Sequence, residues 1–263
     1  MAYALLQQEL LPPEVEQLKR AFSVWPALTE IDAHTVARDA FGILLKGLEL
    51  EQANLLQASL RKEAIETVVI KESDLPAIPA ARVIKQVEFL PTHLTMFDPI
   101  RRKIELPWTD ILLIGAGNVR LQEMRRIKTS HGEPQVRAVG VVQDNPGVSR
   151  PKEEARFHYV LEIFTADAAA RYSLTADDFD FDCLGARVSA NLEDNFATLV
   201  GAIEEYAPHA SLNQGAYLIC KESRPPFKYP SKAAFWEELT WMLWRIAEAN
   251  KAEAVRSPDA TGS

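Results

Sequence analysis

Several kinds of residue are scarce in this chain of 263 amino acids, and each scarcity excludes a class of protein. The two cysteines, Cys183 and Cys220, are too few for a disulfide scaffold and form no Cys-x-x-Cys pair. A lone disulfide and two reduced buried thiols both remain open, and we favour the thiols. No apolar run approaches the ~20 residues that span a bilayer, and the N-terminal segment lacks the basic region of a secretory signal. We therefore expect a cytoplasmic protein.

Positive charge is also in deficit. The chain has 29 Lys and Arg against 37 Asp and Glu, which gives a formal net charge of −8. Because phosphate binding needs clustered positive charge, we expect no nucleic-acid partner. The charge is unevenly distributed, however. Residues 81–150 carry 11 basic against 7 acidic side chains, whereas residues 151–220 carry 4 against 12.

Motifs for catalysis and metal binding are missing. The five histidines are scattered at positions 34, 93, 131, 158 and 209, without the spacing of zinc ligands. No nucleophile elbow and no phosphate-binding Gly-x₄-Gly-Lys-Ser/Thr loop occurs. Asp178, Asp180 and Asp182 alternate with phenylalanines, which favours a solvated strand face over a calcium loop. We assign no catalytic residue, no metal and no cofactor.

The first 81 residues predict a small α/β module of the ferredoxin-like kind. The expected elements are a strand over Tyr3–Gln7, a helix carrying Val15, Leu18, Phe22 and Trp25, a strand over Ile43–Leu48, a helix from near Glu49, and a strand over Thr67–Ile70. The last three form a βαβ unit that buries one helix face on a sheet. The stretch from Asp32 to Phe41 fits either a short helix or an extended segment.

Residues 82–222 have the pattern of a β module. We predict strands over Val83–Phe89, Leu94–Phe97, Lys103–Trp108, Ile111–Val119, Val136–Val142, His158–Phe164, Arg171–Leu174, Phe179–Cys183 and Ala216–Cys220. Near the end of this region, Asn191 is a suitable N-cap for a helix whose apolar stripe runs from Leu192 to Ile203. Several short strands closed by a helix indicate a barrel or a curved sheet.

Residues 223–263 predict one more helix, with Ser231 as its N-cap. Trp236, Trp241 and Trp244 widen its apolar surface well beyond one stripe. Three tryptophans at ~150–250 Å² each are too much area to leave in water. We favour docking within the chain, while a protein partner or a homodimer through this helix is the next hypothesis.

One segment is typical of a dinucleotide site. Ile111-Leu-Leu-Ile-Gly115-Ala-Gly117 reads as an apolar strand that leads into Gly-x-Gly, as in a Rossmann fold. Arg120 stands where the third glycine belongs, however, and no βα alternation follows Asp144. We favour a strand with glycines at a bend or bulge. A nucleotide-dependent, NAD(P)-type enzyme that uses Gly115 and Gly117 as a phosphate loop is the alternative.

Two basic clusters lie in the β region. Arg101, Arg102 and Lys103 form the first, and Arg125, Arg126 and Lys128 form the second. Such clusters attract an anionic headgroup, a phosphate or an acidic partner, although a solvated loop explains them equally well. They are our candidate anion or partner surface.

The segment from Leu94 to Ile111 pairs a predicted hairpin with the step Pro107-Trp108-Thr-Asp-Ile111. It resembles the start of a bacterial pleckstrin-homology-like (GRAM-type) domain, in which a helix plugs a curved sheet. The resemblance covers residues 82 to about 207. It implies a PH-like barrel or curved sheet capped by the helix at 192–206, and a binding or scaffolding role. One departure is Pro99-Ile100-Arg101 at the turn, where the family favours glycine.

Together these patterns predict an α+β protein in three parts. A ferredoxin-like module covers residues 1–81, a PH-like β module covers 82–222, and a Trp-rich helix with a frayed tail covers 223–263. This layout resembles uncharacterised bacterial two-module proteins. Because the fold pattern is strong and the chemical pattern is weak, we expect a non-catalytic binding or assembly module.

Overall fold

The computed structural model describes residues 1–125, 152–166 and 168–256 of the chain, which contain both helices and strands. The helices are α1 (Val15–Phe22), α2 (Glu30–Asp39), α3 (Leu50–Lys62), α4 (Leu192–Tyr206), α5 (Gln214–Glu222) and α6 (Lys232–Arg256). The strands are β1 (Tyr3–Gln7), β2 (Ile43–Leu48), β3 (Thr67–Lys71), β4 (Ala81–Val83), β5 (Gln86–Phe89), β6 (His93–Phe97), β7 (Lys103–Pro107), β8 (Ile111–Arg125), β9 (Lys152–Thr165), β10 (Arg171–Thr175), β11 (Ser211–Leu212) and β12 (Lys228–Tyr229). The α+β class is confirmed.

The N-terminal unit is a three-stranded sheet covered by helices. Its strand order is β2-β1-β3, and β1 pairs antiparallel with both neighbours. Strands β2 and β3 therefore run parallel on either side of β1, and α3 connects them as a split βαβ unit. Leu5 packs with Leu18 of α1 and Leu56 of α3 in a common core. These strands and helices were predicted from the sequence.

The segment from Asp32 to Phe41, which fitted either a short helix or an extended segment, lies mostly in helix α2. Thr29 caps it through a reciprocal pair of bonds: its hydroxyl accepts from the backbone N–H of Asp32 at 3.3 Å, and its own N–H donates to the Asp32 carboxylate at 2.7 Å. The chain then turns at Gly42, whose φ of +82° suits glycine.

The central sheet has the order β11-β8-β9-β10-β4, and β12 joins the same edge of β8 as β11. Its two faces are covered by different elements. Ile114 and Leu161 point to the face under α4, where they pack with Phe196. Leu113 and Phe164 point to the opposite face, which α6 covers. Burial on both faces makes this sheet the platform for the remaining elements.

A second sheet, with the order β5-β6-β7, is an antiparallel meander. Val87, Leu94 and Leu106 share a core with α4 and the central sheet. In residues 1–125, 152–166 and 168–256 the sheets stay open and no barrel closes.

Two predicted strands are wrong. Ala216–Cys220 lies inside α5, whose N-cap Asn213 accepts a hydrogen bond from the backbone N–H of Ala216 at 3.0 Å. Most of Phe179–Cys183 lies in a 3₁₀ segment over Phe181–Arg187, which Asp180 caps by accepting a hydrogen bond from the N–H of Asp182 at 2.9 Å. The strand predicted over Val136–Val142 lies outside the described residues.

Helix α6 joins the two sheet systems. Leu239 packs on the central sheet, whereas Trp241 and Trp244 are buried with Ala4 and Ile43 of the N-terminal sheet. The Trp241 Nε1–H also donates to the carbonyl of Gln7 at 2.7 Å. Docking within the chain therefore covers these two tryptophans, and they are not open to a partner.

The glycines of the Gly-x-Gly segment lie in the middle of strand β8. They are opposite Glu162 and Val160 of β9, and β8 continues to Arg125 without the helix that a phosphate loop needs. A Cβ atom added to Gly115 would lie 2.5 Å from Leu239, and one added to Gly117 would lie 2.5 Å from Tyr229. Close packing of α6 and β12 explains both glycines, where the sequence suggested a bend or bulge.

No helix among the described residues is long and apolar enough to cross a membrane.

Candidate binding groove

The first predicted basic cluster lies on the hairpin turn between β6 and β7. Asp98 holds this turn: its Oδ1 accepts from the N–H groups of Ile100 at 2.9 Å and Arg102 at 2.8 Å. Its Oδ2 accepts from the Arg102 Nε–H at 2.7 Å. Arg101 takes the left-handed conformation, with φ of +61°, at the position where the PH-like family favours glycine. The hydrogen bonds to Asp98 thus stabilise a turn in which a residue other than glycine has a positive φ.

This turn forms one wall of a groove of about 560 Å³, and β4 forms the other. We call it the basic groove; its lining includes Arg82, Val83, Asp98, Arg102, Lys103 and Ile104. Arg102 and Lys103 were predicted from the sequence as part of a basic cluster, whereas Arg82, which immediately precedes the strand predicted over Val83–Phe89, was not. Only the folded chain brings Arg82 to the other two cations.

The groove has a net positive charge. Arg102 pairs with Asp98 at 2.7 Å, and Lys103 pairs with the exposed Glu105 at 2.7 Å. Arg82 has no carboxylate partner among the described residues and lies over the Tyr172 ring at 5.9 Å. Burial acts to raise the pKa of Asp98, but the hydrogen bonds and charge of Arg102 and the bond from Ile100 bring it below its ordinary value. Asp98 therefore stays ionised and satisfied within the turn, where it neutralises one of the groove's cations.

The β4 wall presents a free strand edge. The N–H of Ile84 donates to the carbonyl of Ser173 at 2.8 Å, so Arg82 and Ile84 direct their backbone groups to β10. Because successive residues of a strand alternate, Ala81 and Val83 direct theirs the other way. In the described part of the chain no strand pairs with that edge of β4. The groove thus combines exposed cations with unpaired backbone groups.

The other predicted candidates lie elsewhere. Arg125 is the last residue of β8, and Arg126 and Lys128 lie outside the described residues. Trp236 is half-buried, and its ring faces the Arg171 guanidinium at 4.4 Å. Trp236 does not line the basic groove.

The two cysteines lie apart from the basic groove. Cys183 and Cys220 are free thiols, and burial raises the pKa of each to about 11. Both stay protonated at neutral pH and are therefore poor nucleophiles. Among residues 1–125, 152–166 and 168–256, no group of three His, Cys, Asp or Glu side chains is placed to hold a metal ion.

Comparison with protein-family models, with curated proteins and with solved structures returns no match. The function is therefore argued from the geometry of the chain itself.

Proposed function

We propose that the protein is a non-catalytic binding module that holds an extended acidic peptide segment in the basic groove. The observation that carries the proposal is the free edge of β4 beside Arg82, Arg102 and Lys103. An added strand would exchange hydrogen bonds with Ala81 and Val83, as in other cases of recognition at a sheet edge. Its carboxylates would meet the cations of the two walls.

We also propose that residues 82–222 have the PH-like layout that the sequence resemblance implies. Support comes from the β5-β6-β7 meander and the β8-β9-β10 strands, which share one core with α4. Such a layout serves as a rigid frame for a peripheral binding surface, and the basic groove lies at its rim. The cytoplasmic location expected from the sequence stays a prediction.

The test is fluorescence anisotropy with the full chain and a labelled short peptide of alternating glutamate and valine. We expect saturable binding that weakens as salt is added, because exposed charges are screened. The same peptide with lysine in place of glutamate should not bind. Equal binding of both peptides would show that charge does not select the occupant and would refute the proposal.

Variants separate the contribution of charge from that of backbone hydrogen bonding at the β4 edge. Arg82→Glu reverses one wall charge and should weaken binding about tenfold. Val83→Pro removes an outward N–H but leaves the bonds to β10, so it should also weaken binding. Lys62→Glu is the control, because Lys62 is exposed on α3, outside the groove lining. If Val83→Pro binds as tightly as the wild type, strand addition is wrong.

A further inference from the structure

A second pocket lies between the central sheet and the beginning of α6. Its volume is about 160 Å³, and its lining includes Val119, Val160, Glu162, Arg171, Lys232 and Trp236. We call it the Arg171 pocket. An apolar cavity of about 150 Å³ holds a molecule the size of benzene, so this pocket has room for one small organic group.

Glu162 forms the floor of the Arg171 pocket and is 2% exposed. Its Oε1 accepts from the Ser173 hydroxyl at 2.8 Å. Its Oε2 lies 3.5 Å from Arg171 Nη1 but has no hydrogen-bond partner, and Arg171 Nε lacks one too. A buried carboxylate oxygen and a buried guanidinium nitrogen that lack hydrogen bonds are costly, so the hydrogen-bonding capacity of this pair is only partly satisfied within the chain.

Cations dominate the accessible part of the pocket. The Arg171 side chain keeps 11% of its surface exposed and lies 4.4 Å from the Trp236 ring centroid. Lys232 is exposed at the first residue of α6 and has no ion-pair partner among the described residues. Glu162 lies beneath them and, among the described residues, is the only acid in the lining. A bound cation would therefore meet two like charges before it reached the acid.

The rest of the lining is mainly apolar. Val119, Leu121, Val160 and Phe235 line it together with the aromatic ring of Trp236. An apolar body beside a cationic mouth matches a ligand that is hydrophobic at one end and anionic at the other.

We propose that the Arg171 pocket binds a small monocarboxylate whose apolar body is about the size of a benzene ring. The carboxylate meets the guanidinium of Arg171 and the ammonium of Lys232, and the body packs on Trp236. Ala81 lines both this pocket and the basic groove, but the charged residues of the two sites differ, so variants of those charges test each proposal by itself.

Isothermal titration of the full chain with benzoate, benzamide and benzylamine tests the charge preference, because these probes share one ring and differ in charge. We expect heat of binding with benzoate and much weaker binding of the other two. Equal or tighter binding of benzylamine or benzamide would overturn the proposal, as would the absence of benzoate binding.

The variant Lys232→Gln removes the exposed cation without disturbing the buried pair. It should weaken benzoate binding about three- to fivefold, as expected for an exposed charge. Lys228→Gln is the control, since Lys228 is an exposed lysine of β12 that does not line the pocket. If both variants weaken binding equally, or neither does, the ligand does not meet Lys232 and the proposal is wrong.

Discussion

The Trp241 indole N–H donates to the Gln7 carbonyl at 2.7 Å, which ties helix α6 to the first strand of the chain. The Trp241 ring also lies against Gly42, where an added Cβ would be 2.3 Å from it. This one side chain therefore holds the N-terminal sheet against the helix that covers the central sheet.

Trp241→Ala should lower the free energy of unfolding by about 3–5 kcal/mol, because it leaves a large cavity at this junction. Trp241→Phe keeps most of the ring but loses the donor, so a loss of about 1–3 kcal/mol is expected. Urea unfolding measures the free energy of unfolding of both variants. Ile31→Ala, at a side chain 76% exposed on α2, serves as the control and should change stability by less than about 0.5 kcal/mol. Equal effects of Trp241→Ala and the control would contradict the packing described.

Gly117→Ala should destabilise the protein by about 1–3 kcal/mol, because the new methyl group would overlap the Tyr229 ring. Gly201→Ala is the matched control with the opposite sign. Gly201 lies in the interior of α4, and nothing stands within 4 Å of an added Cβ. Alanine there should stabilise by about 0.5–1 kcal/mol. Thermal unfolding compares the two variants, and an unchanged or higher stability of Gly117→Ala would show that the contact between β8 and Tyr229 is not close.

Asn213→Ala should cost about 2–5 kcal/mol, since it removes the partner of two buried backbone groups. The Asn213 side chain accepts from the Ala116 N–H at 2.8 Å and donates to the Ala116 carbonyl at 3.0 Å. Asn191→Ala, at the exposed cap of α4, should cost only about 1 kcal/mol. Chemical unfolding of both variants checks the difference. Similar losses would mean that the bonds between Asn213 and β8 contribute little.

Stability should depend on pH through Glu162. Burial raises its pKa to about 7 against the opposing effects of Arg171, Ser173 and Lys232. The folded state therefore holds an extra proton between the ordinary pKa of 4.5 and about 7, and the free energy of unfolding falls as pH rises through this range. The effect amounts to at most roughly 3 kcal/mol.

Glu162→Gln imitates the protonated acid and removes this contribution. The variant should gain stability relative to the wild type as pH rises from about 5 to about 8. Urea unfolding across that range measures the difference between the two proteins. A difference that stays constant with pH would contradict the pKa assigned to Glu162.

Most elements with a clear apolar period were predictable from the sequence. The stripe from Leu192 to Ile203 predicted α4, and alternation predicted β6 to β8 and much of β9 and β10. The single strand predicted over Val83–Phe89 is divided between β4 and β5, which belong to different sheets. Helix α5 was missed because its apolar residues Ala216–Cys220 are too few to show a helical period. Its cap, Asn213, was the available signal.

The two sites were harder to predict because each is assembled from distant segments. The hairpin cations Arg102 and Lys103 were visible as a cluster, but Arg82 joins them only through the pairing of β4 with β10. Glu162 looked like one acid in an acidic region. Its significance comes from the register that sets it opposite Ser173 and beneath Arg171.

The order of synthesis gives the position of α6 a kinetic consequence. Ala4, Leu6 and Ile43 are among the first buried residues to leave the ribosome, yet their cover, Trp241 and Trp244, comes about 200 residues later. The nascent N-terminal sheet therefore keeps an exposed, aggregation-prone apolar face until nearly the whole polypeptide has been synthesised. Contacts of such long sequence separation form slowly, so a holdase chaperone that shields this face during translation should raise the yield of folded protein.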